Sequence, residues 1–373
     1  MKRWSWGLAL GVLVVWLGLG VLVLRGAVLP HFERSDIAFL YRARNLYTHG
    51  LPYFQLRIEY PVVLGWWMWA TAWVPGPGGY LAANVLGLSL AAAGITVLVH
   101  RLRPAFHQWW TVFPLLSAFA FVNWDLLGIL AMVGAWDAWT RERSAWTGVW
   151  LAVGTATKLF PVIAWPFMAY AWWRDGRRQD AGRMTVWAVA VWVALNAPEM
   201  LGAWRNWSWF WVFNFTRSSS TDLFWLLHLN HALGRLGIDG LSLFIVGGAT
   251  VWALRRMAAG WGAPAATAAV MAAFFIVNKV FSPQYMLWMA ASGVLAGWTP
   301  ATLGLLTLGG IGDWATHFAA LQIPGDIRLG AIRAARTAAV GVVAGVAARY
   351  GVLVLALMRS REPRGAREAP APP

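Results

Sequence analysis

Three short stretches hold the residues best suited to chemistry. The first is HFERSDIAFLYRARNLYTHGLPYFQLRIEYP, residues 31–61. It sets Glu33, Asp36 and Glu59 beside Arg34, Arg42, Arg44 and Arg57. The planar fork of arginine pairs bidentately with phosphate. A carboxylate beside such a group can take the proton of an attacking hydroxyl. Asp36 opens a predicted helix over Ile37–Thr48, which Gly50-Leu51-Pro52 stops. Aspartate and serine are also good helix caps, so by residue type alone Asp36 and Ser35 read first as caps.

The second stretch is Asn278-Lys279-Val280-Phe281-Ser282-Pro283-Gln284-Tyr285. It puts Lys279, Ser282, Gln284 and Tyr285 at membrane depth around a proline. Broken backbone of this kind is tolerated only where it is buried in protein or lines a cavity. The third is Lys158, alone in Ala156-Thr157-Lys158-Leu159-Phe160-Pro161. A lysine at mid-membrane costs about 2.5–3.5 kcal/mol on insertion scales. At an interface it can snorkel instead, and the two readings are balanced. Asn123-Trp124-Asp125 starts another predicted span, with capping the ordinary role for Asp125. Asp137 reads as structural. The aromatic segment 206–237 carries Arg217, Asp222, His228 and His231 and reads as interfacial. His228 and His231 are spaced i, i+3 but lack a placed acidic partner, so no metal is assigned. Asp313 and His317, spaced i, i+4, form a weaker pair.

The elements that must position these residues follow from composition. Hydrophobic residues make up 59% of the 373 and charged residues 12%, against about 25% charged in soluble domains. This is an all-α, polytopic membrane protein. At about 20 residues per span, the chain has room for about twelve transmembrane helices. They are expected near 4–28, 79–99, 105–122, 125–140, 145–158, 160–173, 184–199, 240–254, 262–278, 285–298, 300–320 and 333–357. Segment 61–75 is read as interfacial or re-entrant. Residues 1–358 form one bundle, and 359–373 a disordered cytoplasmic tail. Long outer loops fall at about 29–78 and 200–239.

That choice follows the positive-inside bias. It places the arginines at 101, 103, 141, 143, 174, 177, 178, 255 and 256 in the cytoplasm, with both termini. The formal net charge of +15 is thus a topology signal, and no nucleic-acid partner is expected. Absence of cysteine excludes disulfides, thiol nucleophiles and Cys-based metal sites. Under this topology Asp36, Glu59, Asp125, Lys158, Arg217, Lys279 and Gln284 all face outside. Ionisable groups sit at span ends and not along a path through the middle. A transporter or lipid-linked sugar flippase without catalysis is the alternative, and this placement disfavours it.

The pieces SDIAFLYRARNLYTHGLPYFQLRIEYPVV (35–63), NWDLLGIL (123–130), ATKLFPVI (156–163) and NKVFSPQYMLWM (278–289) together resemble the GT-C superfamily of integral-membrane glycosyltransferases. The closest likeness is to glycosyltransferase family eighty-seven, the polyprenol-phosphate-mannose-dependent mannosyltransferases. The resemblance implies a GT-C-like bundle in a bacterial inner membrane with an outward-facing site. It implies inverting transfer of a sugar, mannose above all, from a polyprenyl-phosphate donor to a glycolipid or polysaccharide acceptor. It makes Asp36 the catalytic base. Lys279, Arg217, Arg42 and Arg44 would bind the donor phosphate. Tyr41, Glu59, Tyr60, Asp125, Lys158, Ser282, Gln284 and Tyr285 would line the substrate site. The first loop has Glu33-Arg-Ser-Asp36 in place of Asp-x-Asp, which counts against a divalent metal, and no cofactor is expected.

Overall fold

A computed structural model describes residues 6–27, 35–104, 110, 115–217, 223–227, 229–320, 347, 348, 350, 351 and 354. The expected span 333–357 lies almost wholly, and the tail 359–373 wholly, outside the described residues, as do Glu33, Arg34, Asp222 and His228. The side chains of His231, Asp313 and His317 lie outside them too. The described chain is helical. Its only β-type pairing is an isolated bridge between Pro52 and Leu56.

The helices are α1 (Trp6–Leu24), α2 (Asp36–Ala43), α3 (Val62–Ala72), α4 (Gly76–Leu102), α5 (Leu115–Phe119), α6 (Asp125–Thr140), α7 (Ser144–Thr157), α8 (Trp165–Arg174), α9 (Arg178–Gly202), α10 (Trp204–Trp207), α11 (Trp209–Thr216), α12 (Leu223–Leu226), α13 (Asn230–Ala258), α14 (Ala263–Val277), α15 (Met286–Leu295) and α16 (Pro300–Ala320). Among the described residues, four stretches are long and apolar enough to cross a membrane: Gly7–Leu24, Gly76–Leu102, Arg178–Gly202 and Ala232–Ala258. Their uncovered sides are apolar, with Val14, Leu86, Leu90, Val186, Val189, Leu243 and Phe244 exposed. Such faces fit a lipid environment, where no water needs to be excluded from them.

Several expected elements differ. The helix expected over Ile37–Thr48 breaks at Asn45, which is left-handed at φ 52° and ψ 34°, and resumes as a 3₁₀ turn over Leu46–Thr48. The stretch 160–173 is not one continuous α-helix. It starts as a 3₁₀ turn, Phe160–Ala164, and becomes α8 only at Trp165, because Pro161 and Pro166 lack the N–H groups a continuous helix needs. Likewise 285–298 is a turn over Pro283–Tyr285 followed by α15 of 10 residues. The helix expected at 240–254 is longer: α13 starts at Asn230 and kinks at Gly234, with φ 60° and ψ 178°, so the connection expected over 200–239 ends earlier. Among the described residues of 105–122, α5 is the one helix of several residues. Segment 61–75 folds as α3, whose 11 residues rise about 16 Å, short of the roughly 30 Å hydrocarbon core.

The helices gather the arginine clusters at one end. Arg177, before α9, pairs with Glu142, after α6, and with Asp180 at 2.8 Å. Arg174 donates to the Met257 carbonyl at 2.9 Å. Asp137 pairs with Arg141 at 2.9 Å, one turn on, as its structural reading implied. The same helices α6, α7, α9 and α14 carry Asp125, Thr157, Gly202 and Val277 at their other ends.

The seam between α7 and α9 is close. A Cβ on Gly148 would meet the Met184 carbonyl and the Ala188 amide, both backbone, while one on Gly182 would meet nothing. Backbone cannot move aside as a side-chain tip can. Gly148→Ala is therefore expected to destabilise the protein by about 1–3 kcal/mol. Gly182→Ala, in a helix interior, should stabilise it by up to about 1 kcal/mol. Thermal melting in one detergent checks both. Equal melting points would mean the seam is loose.

Candidate functional site

The site is built around Asp36. Neither it nor Ser35 caps α2 with its side chain, so the capping expectation does not hold. The Ser35 hydroxyl donates to the Phe121 carbonyl at 2.8 Å, and the Asp36 backbone N–H to the Val122 carbonyl at 2.8 Å. These bonds pin the start of α2 to the chain just after α5. The Asp36 carboxylate is left free of the helix end. Its Oδ2 accepts from the Asn123 side-chain amide at 2.8 Å.

Asn123 is the hub. Its Nδ2 also lies 3.0 Å from the Tyr60 hydroxyl. Its Oδ1 accepts from the Trp124 backbone N–H at 2.7 Å and from Lys158 Nζ at 2.8 Å. Two donors on the oxygen fix the orientation of the amide, so its NH₂ side must face Asp36 and Tyr60. Lys158 ends α7 in extended backbone. Its ammonium lies 3.5 Å from Asp125 Oδ1 and 5.0 Å from the centre of the Tyr60 ring. Trp288 Nε1 donates to the same Asp125 oxygen at 2.9 Å. Gly128 permits this approach, since a Cβ there would come within 2.6 Å of the Trp288 ring and 3.0 Å of Lys158 Cβ.

Asp36, Asn123, Lys158 and Tyr60 line one side of a cavity of about 530 Å³. Phe210, Trp211, Phe213 and Phe215 of α11 give it an aromatic wall, ending at Arg217. Lys279, Ser282, Gln284 and Tyr285 line it from the broken segment before α15, and Arg44 and Glu59 from the first loop. Residues from five separate parts of the sequence therefore share one space.

Three assignments change. Asp125 is fully buried behind Lys158, does not line the cavity, and so does not touch a substrate. Tyr41 packs inside the protein, its ring 4.7 Å from that of Tyr80, and Arg42 is exposed away from the cavity. Helical geometry explains both. Positions 36, 39 and 40 of α2 face the cavity, which turns positions 37 and 41 toward the core and 42 toward the surface.

The cations also differ in availability. Arg44 is engaged by Glu59, with Nε and a terminal nitrogen 2.5 and 2.6 Å from its two oxygens. Lys279 Nζ is 2.8 Å from Asp239 Oδ2 and 3.1 Å from the Phe215 carbonyl. Arg217 has no carboxylate partner among the described residues. Its guanidinium lies 5.7 Å from the Phe213 ring centre. Asn123 and Asp239 were missed as site residues in the sequence. Asn123 is neutral and stood inside a quoted motif without a charge to mark it. Asp239 lies 40 residues before its partner, a spacing with no local signal.

Burial pushes the Asp36 carboxyl above its ordinary value of 3.8. The Asn123 hydrogen bond and the charges of Lys158 and Arg217 oppose this, and the Asp125 charge adds to it. A raised carboxyl holds its proton more tightly folded than unfolded. Stability is then lost as pH rises from 3.8 through the folded value. Asp36→Asn removes that penalty and keeps an oxygen to accept from Asn123. It should melt no lower than wild type at pH 7. In infrared difference spectra, a carboxyl band absent from Asp36→Asn should titrate above 3.8, and higher still in Asn123→Leu. Titration at or below 3.8 would sink this account.

Comparisons of the chain with protein-family models, with curated proteins and with solved structures found no match.

Proposed function

We propose that the chain is a membrane glycosyltransferase. It moves a sugar, mannose by the resemblance above, from a polyprenyl-phosphate donor to a hydroxyl of a glycolipid or polysaccharide acceptor. The setting is a GT-C-like bundle of about twelve spans in a bacterial inner membrane. Both termini lie in the cytoplasm with the arginine clusters, and the cavity opens outside. The observation that carries this reading is a half-buried carboxylate and an arginine without a carboxylate partner among the described residues, lining one cavity beside an aromatic wall. A flippase needs a path for its cargo through the bundle, whereas the ionisable groups here gather at one end of the helices.

The reaction balances with residues already in place. The acceptor oxygen attacks the anomeric carbon from the face opposite the phosphate. The carbon–oxygen bond to phosphate breaks, and its electron pair leaves with the polyprenyl phosphate. The acceptor proton passes to Asp36 as general base. No protein nucleophile is required, so configuration inverts. Arg217 stabilises the charge that grows on the leaving phosphate, and Lys279 assists to the extent that Asp239 shares it. The aromatic wall of α11 takes the first isoprene units. Tyr60, Ser282, Gln284 and Tyr285 offer polar groups to the sugar.

Lys158 and Asp125 act one step back. Lys158 orients Asn123, and Asn123 occupies Oδ2 of Asp36, leaving Oδ1 for the acceptor proton.

The test is transfer by the purified chain in lipid, with radiolabelled polyprenyl-phosphate-mannose and a panel of glycolipid acceptors. Wild type should move label to an acceptor. Asp36→Asn should lower kcat by about 10²–10⁴-fold, and Arg217→Gln by about 10²-fold. No transfer by folded wild type, with the lipid phosphate still bound, would move the assignment to the flippase. A second prediction separates positioning from contact. Lys158→Met should lower kcat with KM within about twofold, because it touches Asn123 and leaves the substrate's own binding contacts in place. A rise in KM alone would return Lys158 to direct substrate binding.

A further inference from the structure

A second opening, of about 440 Å³, lies at the same end of the molecule as the cavity. Tyr53, Phe54 and Arg57 of the first loop form one wall, and Gly202 to Asn206, across the end of α9 and the start of α10, the other. The main cavity meets the same loop further on, at Glu59, Tyr60 and Pro61.

The walls are held firmly. The Asn206 amide donates to the Tyr53 carbonyl at 2.6 Å, across the opening. The Tyr53 hydroxyl lies 2.8 and 2.9 Å from the carbonyls of Tyr60 and Pro61, which clamps the loop. Gly202 is needed where it stands, because a Cβ there would come within 2.7 Å of the Phe54 ring.

The charge in this opening is one-sided. Arg57 and Arg205 line it, and no carboxylate does. Among the described residues neither arginine has an acidic partner. Of the glutamates nearest the opening, Glu59 holds Arg44, and Glu199 is buried and accepts from Trp66 Nε1 at 2.6 Å through one oxygen. The Arg57 guanidinium lies over the Trp209 indole, 3.4 Å from the ring centre. Stacking covers one face of the guanidinium and leaves the N–H groups of its edge to a ligand. Phe54 and Trp204 are 41% and 59% exposed at the rim, as aromatics are at a membrane interface. Two unpaired arginines at the end opposite the basic clusters run against the positive-inside bias, and an anion that they hold would offset that.

We infer that this opening is a second binding site, for a phosphate-bearing group. Two sources present that chemistry: the headgroup of an anionic phospholipid in the outer leaflet, and a sugar phosphate carried by an acceptor. The inference does not depend on sugar transfer, and its test reads binding alone.

The full chain would be released from bilayers of phosphatidylcholine with phosphatidylglycerol, and retained lipid counted by native mass spectrometry. In a second arm, phosphorus NMR line broadening would report binding of soluble glucose 1-phosphate to the chain in phosphatidylcholine nanodiscs. Loss of both arginines (R57Q/R205Q) should weaken the bound species about tenfold or more, the scale of one charge-assisted pair. Arg205→Gln alone should weaken it measurably; its side chain is exposed and the fold does not rest on it. Retention of phosphatidylglycerol that depends on these arginines would identify the headgroup. Broadening of glucose 1-phosphate that depends on them would identify a sugar phosphate. The control R101Q/R183Q, at Arg101 near the end of α4 and Arg183 in the second turn of α9, removes the same charge at the far end. An equal loss in that control would reduce the effect to general electrostatics and overturn the proposal. So would equal binding of both probes by wild type and R57Q/R205Q.

Discussion

The site depends on how the chain keeps an ammonium group inside the protein. Lys158 is 8% exposed, and an isolated buried charge would be far too costly to keep. Asp125 supplies the opposing charge and Asn123 a hydrogen-bond oxygen. Trp288 fixes Asp125 in turn, and Gly128 leaves the room for all three. This arrangement fixes the direction of one neutral amide. The other side of that amide is what meets Asp36. A buried ion pair is weak evidence of stability; here its visible consequence is orientation.

The second constraint is backbone. Irregular chain at membrane depth leaves carbonyls and amides that lipid cannot satisfy. In this protein side chains of neighbouring loops take them. Ser35 takes the Phe121 carbonyl, Tyr53 takes those of Tyr60 and Pro61, Asn206 that of Tyr53, and Lys279 that of Phe215. The broken segments at 158–164 and 278–285 are thus possible because they border a cavity and other loops. They are also what puts Lys158 and Lys279 there: each lysine follows the last turn of a helix whose next residues cannot continue it.

Much of this was legible in the sequence, for physical reasons. Apolar runs and arginine placement marked the helices and the end that collects basic residues. Ionisable residues in apolar context pointed to Asp36, Lys158, Lys279 and Arg217, which the cavity brings together. Pairing was not legible. Nothing local says that Lys279 meets Asp239 or that Asn123 joins Asp36 to Lys158, because these contacts span 40, 87 and 35 residues. Facing within α2 was missed for a different reason. Tyr41 and Arg42 lie close to Asp36 in sequence, yet the helix turns them away from it.

The pairs that the sequence hid decide how the cavity is charged. Lys158 is matched by Asp125, Lys279 by Asp239, and Arg44 by Glu59. Each pairing reduces the field its members would exert alone, although Lys158 still acts on Asp36 more strongly than Asp125 opposes it. Two cavity-lining ions are left without an opposite partner among the described residues: the carboxylate of Asp36 and the guanidinium of Arg217. Lys158 and, to a smaller extent, Arg217 help Asp36 stay ionised, so an anion arriving at Arg217 would remove the smaller share of that help. Its proton affinity would then rise at the moment an acceptor hydroxyl must be deprotonated. Departure of the anion would lower it again and favour release of the captured proton. On the proposed reading, one uncompensated arginine therefore links occupation of the donor site to the basicity of the residue that completes the reaction.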